Sequence, residues 1–144
     1  MNPLKMSGLE LLRAAASGRL PQSSMAKTIP MSFAEVDMGY VKMTARAGVQ
    51  HLNPMGGVHG GFAATVLDSV TGCAVQSALE AGVGYGTIDL QVKMLRPVPR
   101  DQDVMAEGRI VHVSRNLATS EGTLISREGK LLATATATCF LKRG

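Results

Sequence analysis

Apolar positions change their spacing several times along the chain, and each change marks an element. Leu9, Leu12 and Ala16 fall on one helical face. Ser7 and Glu10 stand at capping-box spacing at its start, and Gly18 with Pro21 closes the run, so a short helix is predicted. After the polar residues 22–24, the segments 28–36 and 40–45 alternate apolar with polar residues. Asp37-Met38-Gly39 between them predicts a β-hairpin. Residues 47–57 read as a loop, with Asn53-Pro54 and Gly56-Gly57 as turn signals.

Residues 60–81 behave differently. Phe62, Ala63, Val66, Leu67, Val70, Cys73, Ala74 and Ala78 surround the helical wheel, and a helix apolar on all sides is buried rather than laid on a surface. Gly82 and Gly84 are expected to end it. Strand patterning then returns: Ile88, Leu90, Val92 and Met94 alternate with Thr87, Asp89, Gln91 and Lys93, up to Arg96-Pro97. Strands are also predicted at 104–113, 117–126 and 130–141, with Arg115-Asn116 and residues 127–129 as turns. The Ala/Thr alternation over 133–138 has a strict period of two. Strands joined by short turns rather than helices predict an α+β fold with a mostly antiparallel sheet. One long apolar helix implies a sheet wrapped around it, in a main domain at 27–144 behind an N-terminal helix and linker at 1–26. Such a helix needs cover on both sides, which points to an oligomer.

Composition removes several function classes. The 144 residues suit one domain that buries roughly 68–70% of its unfolded surface without staples. No uninterrupted apolar stretch of about 18 residues occurs, so no membrane span is expected. Glu10 and Arg13 interrupt the only apolar run near the start, which argues against a signal peptide and for a cytoplasmic location. The two cysteines, Cys73 and Cys139, read as reduced, buried thiols and fall short of a structural zinc site. The net charge of +4 and a pI near 9.4 would suit a polyanion. With 3% aromatic residues and no Lys/Arg run longer than two, the chain lacks stacking platforms for nucleic acid.

The candidate chemistry centres on the long helix. Asp68 is the only charged side chain between His59 and Glu80, and burying a carboxylate among apolar neighbours is expensive unless it is partnered. It could cap a loop or pair with a cation; a carboxylate so placed is also a candidate for acid/base or nucleophilic work. His59-Gly60-Gly61 opens the helix, where the first backbone N–H groups lack intrahelical acceptors and the dipole is positive. The two glycines permit close approach of a ligand, so this terminus can hold a carbonyl and stabilise an oxyanion. Asp68 lies eight residues on, about 12 Å along a helix. That is far for one carbon atom, so carboxylate and donors acting on one carbonyl are expected from different subunits. His59 could serve as a base or simply bond a backbone carbonyl, and Asn53 could be a plain turn residue. His51 and His112 read as surface residues, and the nine Met as core or pocket lining. No G-x-x-x-x-G-K-[ST] phosphate loop is present.

Taken together, Asn53-Pro54-Met55-Gly56-Gly57-Val58-His59-Gly60-Gly61-Phe62-Ala63-Ala64-Thr65-Val66-Leu67-Asp68 resembles the signature of hotdog-fold acyl-CoA thioesterases, in particular the phenylacetyl-CoA thioesterase (PaaI)-like family. The resemblance continues through residues 86–90 and 95–98 and covers roughly residues 27–142. It implies a hotdog domain that dimerises through paired sheets, often into tetramers, with active sites at the dimer interface. It implies Asp68 as catalytic nucleophile or base, Gly60 N–H as carbonyl donor, and Asn53 as the residue orienting water or thioester. His59 takes a supporting position and Thr87 one beside the carboxylate. Gly61 adjoins the substrate, and Ser114, Arg115 and Asn116 match positions that contact CoA. Arg115 also suits a phosphate on charge grounds. The other large branch of the family places a Glu on this helix and lacks this Asn.

The leading expectation is therefore hydrolysis of an acyl-CoA thioester to free acid and CoA, with no metal or cofactor. An enoyl-CoA hydratase-type enzyme would need an acid/base pair able to move a proton to carbon, and its Asp-x-Asn-Pro-x-His pattern is absent. An acyl-CoA-binding module without turnover would keep Arg115 and an apolar pocket but would not need Asp68.

Overall fold

The computed structural model describes all residues, 1–144. Helix α1 (Gly8–Ala16) is followed by one turn of helix, α2 (Met25–Thr28), and by strands β1 (Met31–Asp37) and β2 (Tyr40–Arg46). After a loop comes the long helix α3 (Gly60–Gln76), then β3 (Gly84–Met94), β4 (Asp103–Val113), β5 (Leu117–Ile125) and β6 (Leu131–Lys142). The six strands form one antiparallel sheet in the order β1-β2-β4-β5-β6-β3. The expected α+β arrangement, a sheet curled around one central helix, is what the chain adopts.

Local chemistry explains most elements. Ser7 and Glu10 form the capping box of α1: the Glu10 N–H donates to Ser7 Oγ at 3.2 Å and the Ser7 N–H to Glu10 Oε1 at 2.9 Å. Period-two alternation sends Val104, Ala106 and Gly108 of β4, and Ala133, Ala135, Ala137 and Cys139 of β6, toward α3. Phe62, Val66, Leu67, Val70, Ala74 and Val75 meet them, all buried. The helix can nest so closely because Gly108 and Gly122 pair across β4 and β5. A Cβ at Gly108 would collide with the Val70 carbonyl, and one at Gly122 would lie 2.9 Å from Thr71 Cγ2. The outward face carries Glu107, Arg109, Glu121, Thr123, Thr134 and Thr136 instead.

Four expectations need adjusting. Helix α3 ends at Gln76 rather than reaching residue 81, because Ser77, whose Oγ donates to the Ala74 carbonyl at 2.6 Å, begins a turn. Strand β3 starts at Gly84, and α2 covers the end of the expected linker and Thr28, the first residue of the expected strand. His51 is not a surface residue. It is buried at 9% exposure, with Nδ1 accepting the Gly48 N–H at 2.9 Å, Nε2 2.8 Å from the Thr28 carbonyl, and its ring 5.6 Å from that of Phe62. The first of these bonds makes Nδ1 the acceptor, which puts the ring proton on Nε2.

No helix is long and apolar enough to cross a membrane. The edge strand β3 is open along its outer side and exposed along most of its length. Ile88, bulged out where the β3–β6 register shifts, is 63% exposed.

Candidate active site

Helix α3 starts at a cap made by His59 itself. The residue keeps extended angles (φ −62°, ψ 137°), and its Nδ1 accepts the Gly61 N–H at 2.8 Å. One of the two glycine donors is therefore spent on the cap. The Gly60 N–H meets no acceptor within the chain and stays open at the positive end of the helix. A Cβ at Gly60 would lie 2.8 Å from Met94 Sδ, so glycine is what lets the end of β3 close over the helix start.

Asn53 shapes the loop ahead of this terminus. Its Oδ1 accepts the N–H groups of Met55 and Gly57 at 2.9 and 3.2 Å, and its own N–H donates to the Gly57 carbonyl at 2.8 Å. The amide oxygen is thus committed to the turn, leaving the Nδ2 donors for anything outside it. Asn53, His59 and Gly60 line one cavity of about 580 Å3, shared with Met94 and Arg96.

Asp68 sits two turns further along α3, half-buried. Thr87 of β3 donates its hydroxyl to Asp68 Oδ1 at 2.9 Å, and the second carboxylate oxygen has no protein partner. The pair lines a different cavity, of about 420 Å3, with Cys73, Gln76 and Tyr85 further along. Burial pushes the Cys73 thiol up to about 12, with the Asp68 charge adding to it, so this thiol is neutral and a poor nucleophile at ordinary pH. Burial likewise raises the Tyr85 hydroxyl, with Cys73, Cys139 and Asp68 contributing. It stays protonated and can donate.

The predicted site residues therefore fall into three groups. Asp68 and Thr87 meet directly. Asn53, His59, Gly60 and Gly61 gather at the start of α3. Ser114, Arg115 and Asn116 form the exposed tip between β4 and β5 and line neither cavity. Ser114 closes that tip, its Oγ accepting the Leu117 N–H at 3.3 Å, and Arg115 makes no ion pair within the chain. Within one chain the first two groups do not share a cavity. Sequence reasoning missed Tyr85 and Gln76, whose signals were the Gly-Tyr-Gly at the start of β3 and a lone amide on an apolar helix. It also passed over Arg96, which lines the Gly60 cavity and donates to the Leu131 carbonyl at 2.7 Å.

No group of three or more His, Cys, Asp or Glu side chains comes together anywhere in the chain.

A six-stranded antiparallel sheet wrapped around one long helix is the hotdog architecture. The model of the thioesterase superfamily matches residues 55–133. The chain belongs to that superfamily and is an enzyme of its thioester-hydrolase class. A phenylacetic acid degradation-related protein of Ralstonia eutropha JMP134 shares the fold with a TM-score of 0.82 and 34% identity, over 90% of this chain and 98% of that one. A hypothetical thioesterase of Streptococcus pneumoniae TIGR4, solved with coenzyme A, aligns with a TM-score of 0.72 and 25% identity, over 78% and 88% of the two chains. Human acyl-coenzyme A thioesterase 13 is 24% identical over 92% of this chain and 93% of its own length. A Halobacterium salinarum protein carrying an esterase name is 40% identical over 73 residues, and this chain spans about half (47%) of its length.

Proposed function

We propose that the protein hydrolyses acyl-CoA thioesters to free acid and CoA, with Asp68 as the reacting carboxylate. The observation that carries this reading is Asp68 itself, on an otherwise apolar helix, with one oxygen held at 2.9 Å by Thr87 and the other open to a cavity. A held carboxylate with one free oxygen can attack the thioester carbon, expelling CoA thiolate and leaving a mixed anhydride for water to cleave. It can equally take a proton from water as that water attacks. Label from oxygen-18 water entering Asp68 in a single turnover marks the first route.

The carbonyl oxygen needs a donor where negative charge develops, and the open Gly60 N–H supplies one. Asp68 and Gly60 are eight residues apart on one helix, about 12 Å, and they line separate cavities. The reading therefore joins Asp68 of one subunit with Gly60 of another across a two-fold interface, which brings the two half-sites together in pairs. The open edge of β3 fits that assembly, because unpaired strand edges are normally covered. Asn53 and His59 then act on the helix-terminus side as positioning residues. Ser114, Arg115 and Asn116 offer donors and one unpaired cation for the CoA phosphates.

The test is thiol release from a panel of acyl-CoAs by wild type and Asp68→Asn. Wild type should turn over part of the panel, and the variant should lose about 10³-fold or more in kcat. Full activity in Asp68→Asn sinks the mechanism; CoA-ester binding by wild type without any release would make the chain a binding module.

A further inference from the structure

Asp68 and Thr87 stand at one end of a cavity whose lining follows α3. It passes Ser69, Gly72 and Cys73 and reaches Gln76, eight residues beyond Asp68 and about 12 Å along the axis. At that far end the Tyr85 hydroxyl donates to Gln76 Oε1 at 3.4 Å. The Tyr85 ring lies over Gly72, where a Cβ would come within 3.1 Å of it. There too the start of α1 closes in. Gly8 packs on the Gln76 backbone carbonyl, and its N–H donates to the Leu79 carbonyl at 2.9 Å.

The facing wall comes from the N-terminal part of the chain. Leu11 and Ala15 of α1 and Leu20 beyond it are joined by Met31 and Phe33 of β1 and Met43 of β2. None of these lies within residues 55–133, the stretch matched by the superfamily model, whereas Asp68 and Thr87 do. The reacting end of the cavity therefore lies within the stretch matched by the superfamily model, and the opposite wall lies outside it. Apart from Phe33 and the polar Gln22 and Ser23, that wall is aliphatic and thioether in character, surfaces that pack against methylene groups and adapt to them.

We propose that α1 and the segment after it set the acyl group that the enzyme accepts: an unbranched, medium-length aliphatic chain lying along α3 from Asp68 toward Gln76, with longer chains stopped where Gly8 meets Gln76. The inference rests on Asp68 being the reacting carboxylate. Each methylene buried against the wall should raise kcat/KM by about fourfold until the cavity is full.

The experiment measures kcat/KM for straight-chain acyl-CoAs from acetyl to palmitoyl, and for phenylacetyl-CoA, with wild type, Ala15→Leu and Leu11→Ala. Wild type should climb with chain length and then fall. Ala15→Leu should lower the decanoyl-to-butyryl ratio at least tenfold, and Leu11→Ala should move the fall to longer chains. If Ala15→Leu does not fold, Leu11→Ala carries the test alone. Ratios unchanged in the folded variants, or phenylacetyl-CoA preferred over every straight chain, overturn the proposal even if Asp68→Asn is inactive. If wild type releases no thiol, the hydrolysis reading fails, and calorimetry with decanoic acid decides the pocket separately. Binding by wild type that Ala15→Leu abolishes upholds the wall; no binding, or equal binding, overturns it.

Discussion

In the proposed mechanism the start and the middle of α3 answer the same electrostatic problem with different materials. At the N-terminus the donor is a backbone N–H, left open because His59 caps the next one and Asn53 holds the loop. Two turns on, the group is a side chain, Asp68, whose direction is set by one hydroxyl from a different element. A backbone donor is indifferent to side-chain identity provided that the chain path survives and nothing crowds it. A carboxylate has no such freedom. The contrast assigns each end its own kind of failure, and mutations can separate them.

Asp68→Asn, which keeps the shape and removes the charge, should give the largest loss. Next comes the backbone end. Gly60→Pro removes the N–H at the first helical position, where proline is well accommodated, and the ψ of 137° at His59 already suits a residue that precedes proline. Stopped-flow or steady-state thiol release should show kcat lower by about 10²–10³-fold, while thermal unfolding stays close to wild type. Gly60→Ala keeps the N–H and asks only that the flexible end of Met94 move aside, so it should retain most activity. Equal losses in both variants would mean that crowding at Met94, and not the missing donor, is responsible.

A smaller effect is expected at the join between Asp68 and β3. Thr87→Val keeps the branched shape and deletes the hydroxyl bonded to Asp68 Oδ1. A hydrogen bond to a charged group contributes about 1.5–3 kcal/mol, and the exposed setting of this one favours the lower figure, so kcat should fall about tenfold. Thr87→Ser, which keeps the hydroxyl, should recover most of that loss. If Val and Ser variants behave alike, Thr87 serves packing and Asp68 is oriented by something outside this chain.

What could be read from the sequence follows the same division. Asp68 stood out because a single charge on an apolar helix conflicts with burial, and the His-Gly-Gly start announced an open helix terminus. Alternation in β4, β5 and β6 survived into the sheet because one face of each packs toward α3, whereas in edge strand β3 only Leu90 and Val92 are partly covered. Other features lacked a local signal. His51 looked like a loop residue because its partners, Gly48, Thr28 and Phe62, are brought together only by the fold. The pairing of Thr87 with Asp68 spans 19 residues and came from family resemblance. The wall formed by α1 was illegible because Leu11, Ala15 and Leu20 look like any amphipathic helix and its exit. Helix α3 was drawn too long because Ala78 and Leu79 continue the apolar pattern while Ser77 turns the backbone.

The smallest effect sharpens the comparison within the Asp68 end itself. Cys73 lines the same cavity as Asp68, yet burial holds its thiol at about 12 against an ordinary 9.0. Between those values the unfolded chain has lost a proton that the native chain keeps. The stabilisation tied to this group is therefore complete below about pH 9 and is lost as pH rises toward 12. The slope within that window is about 1.4 kcal/mol per pH unit. Urea midpoints at pH 7, 9 and 10.5 for wild type and Cys73→Ala should diverge only above pH 9, with wild type losing more. Cys139, raised first by burial, remains in both proteins, and Tyr85, raised first by burial and only secondarily by the Cys73 charge, changes little between them. Parallel slopes would mean that water reaches Cys73, and then the cavity beside Asp68 is a wet channel rather than the apolar sleeve an acyl chain requires.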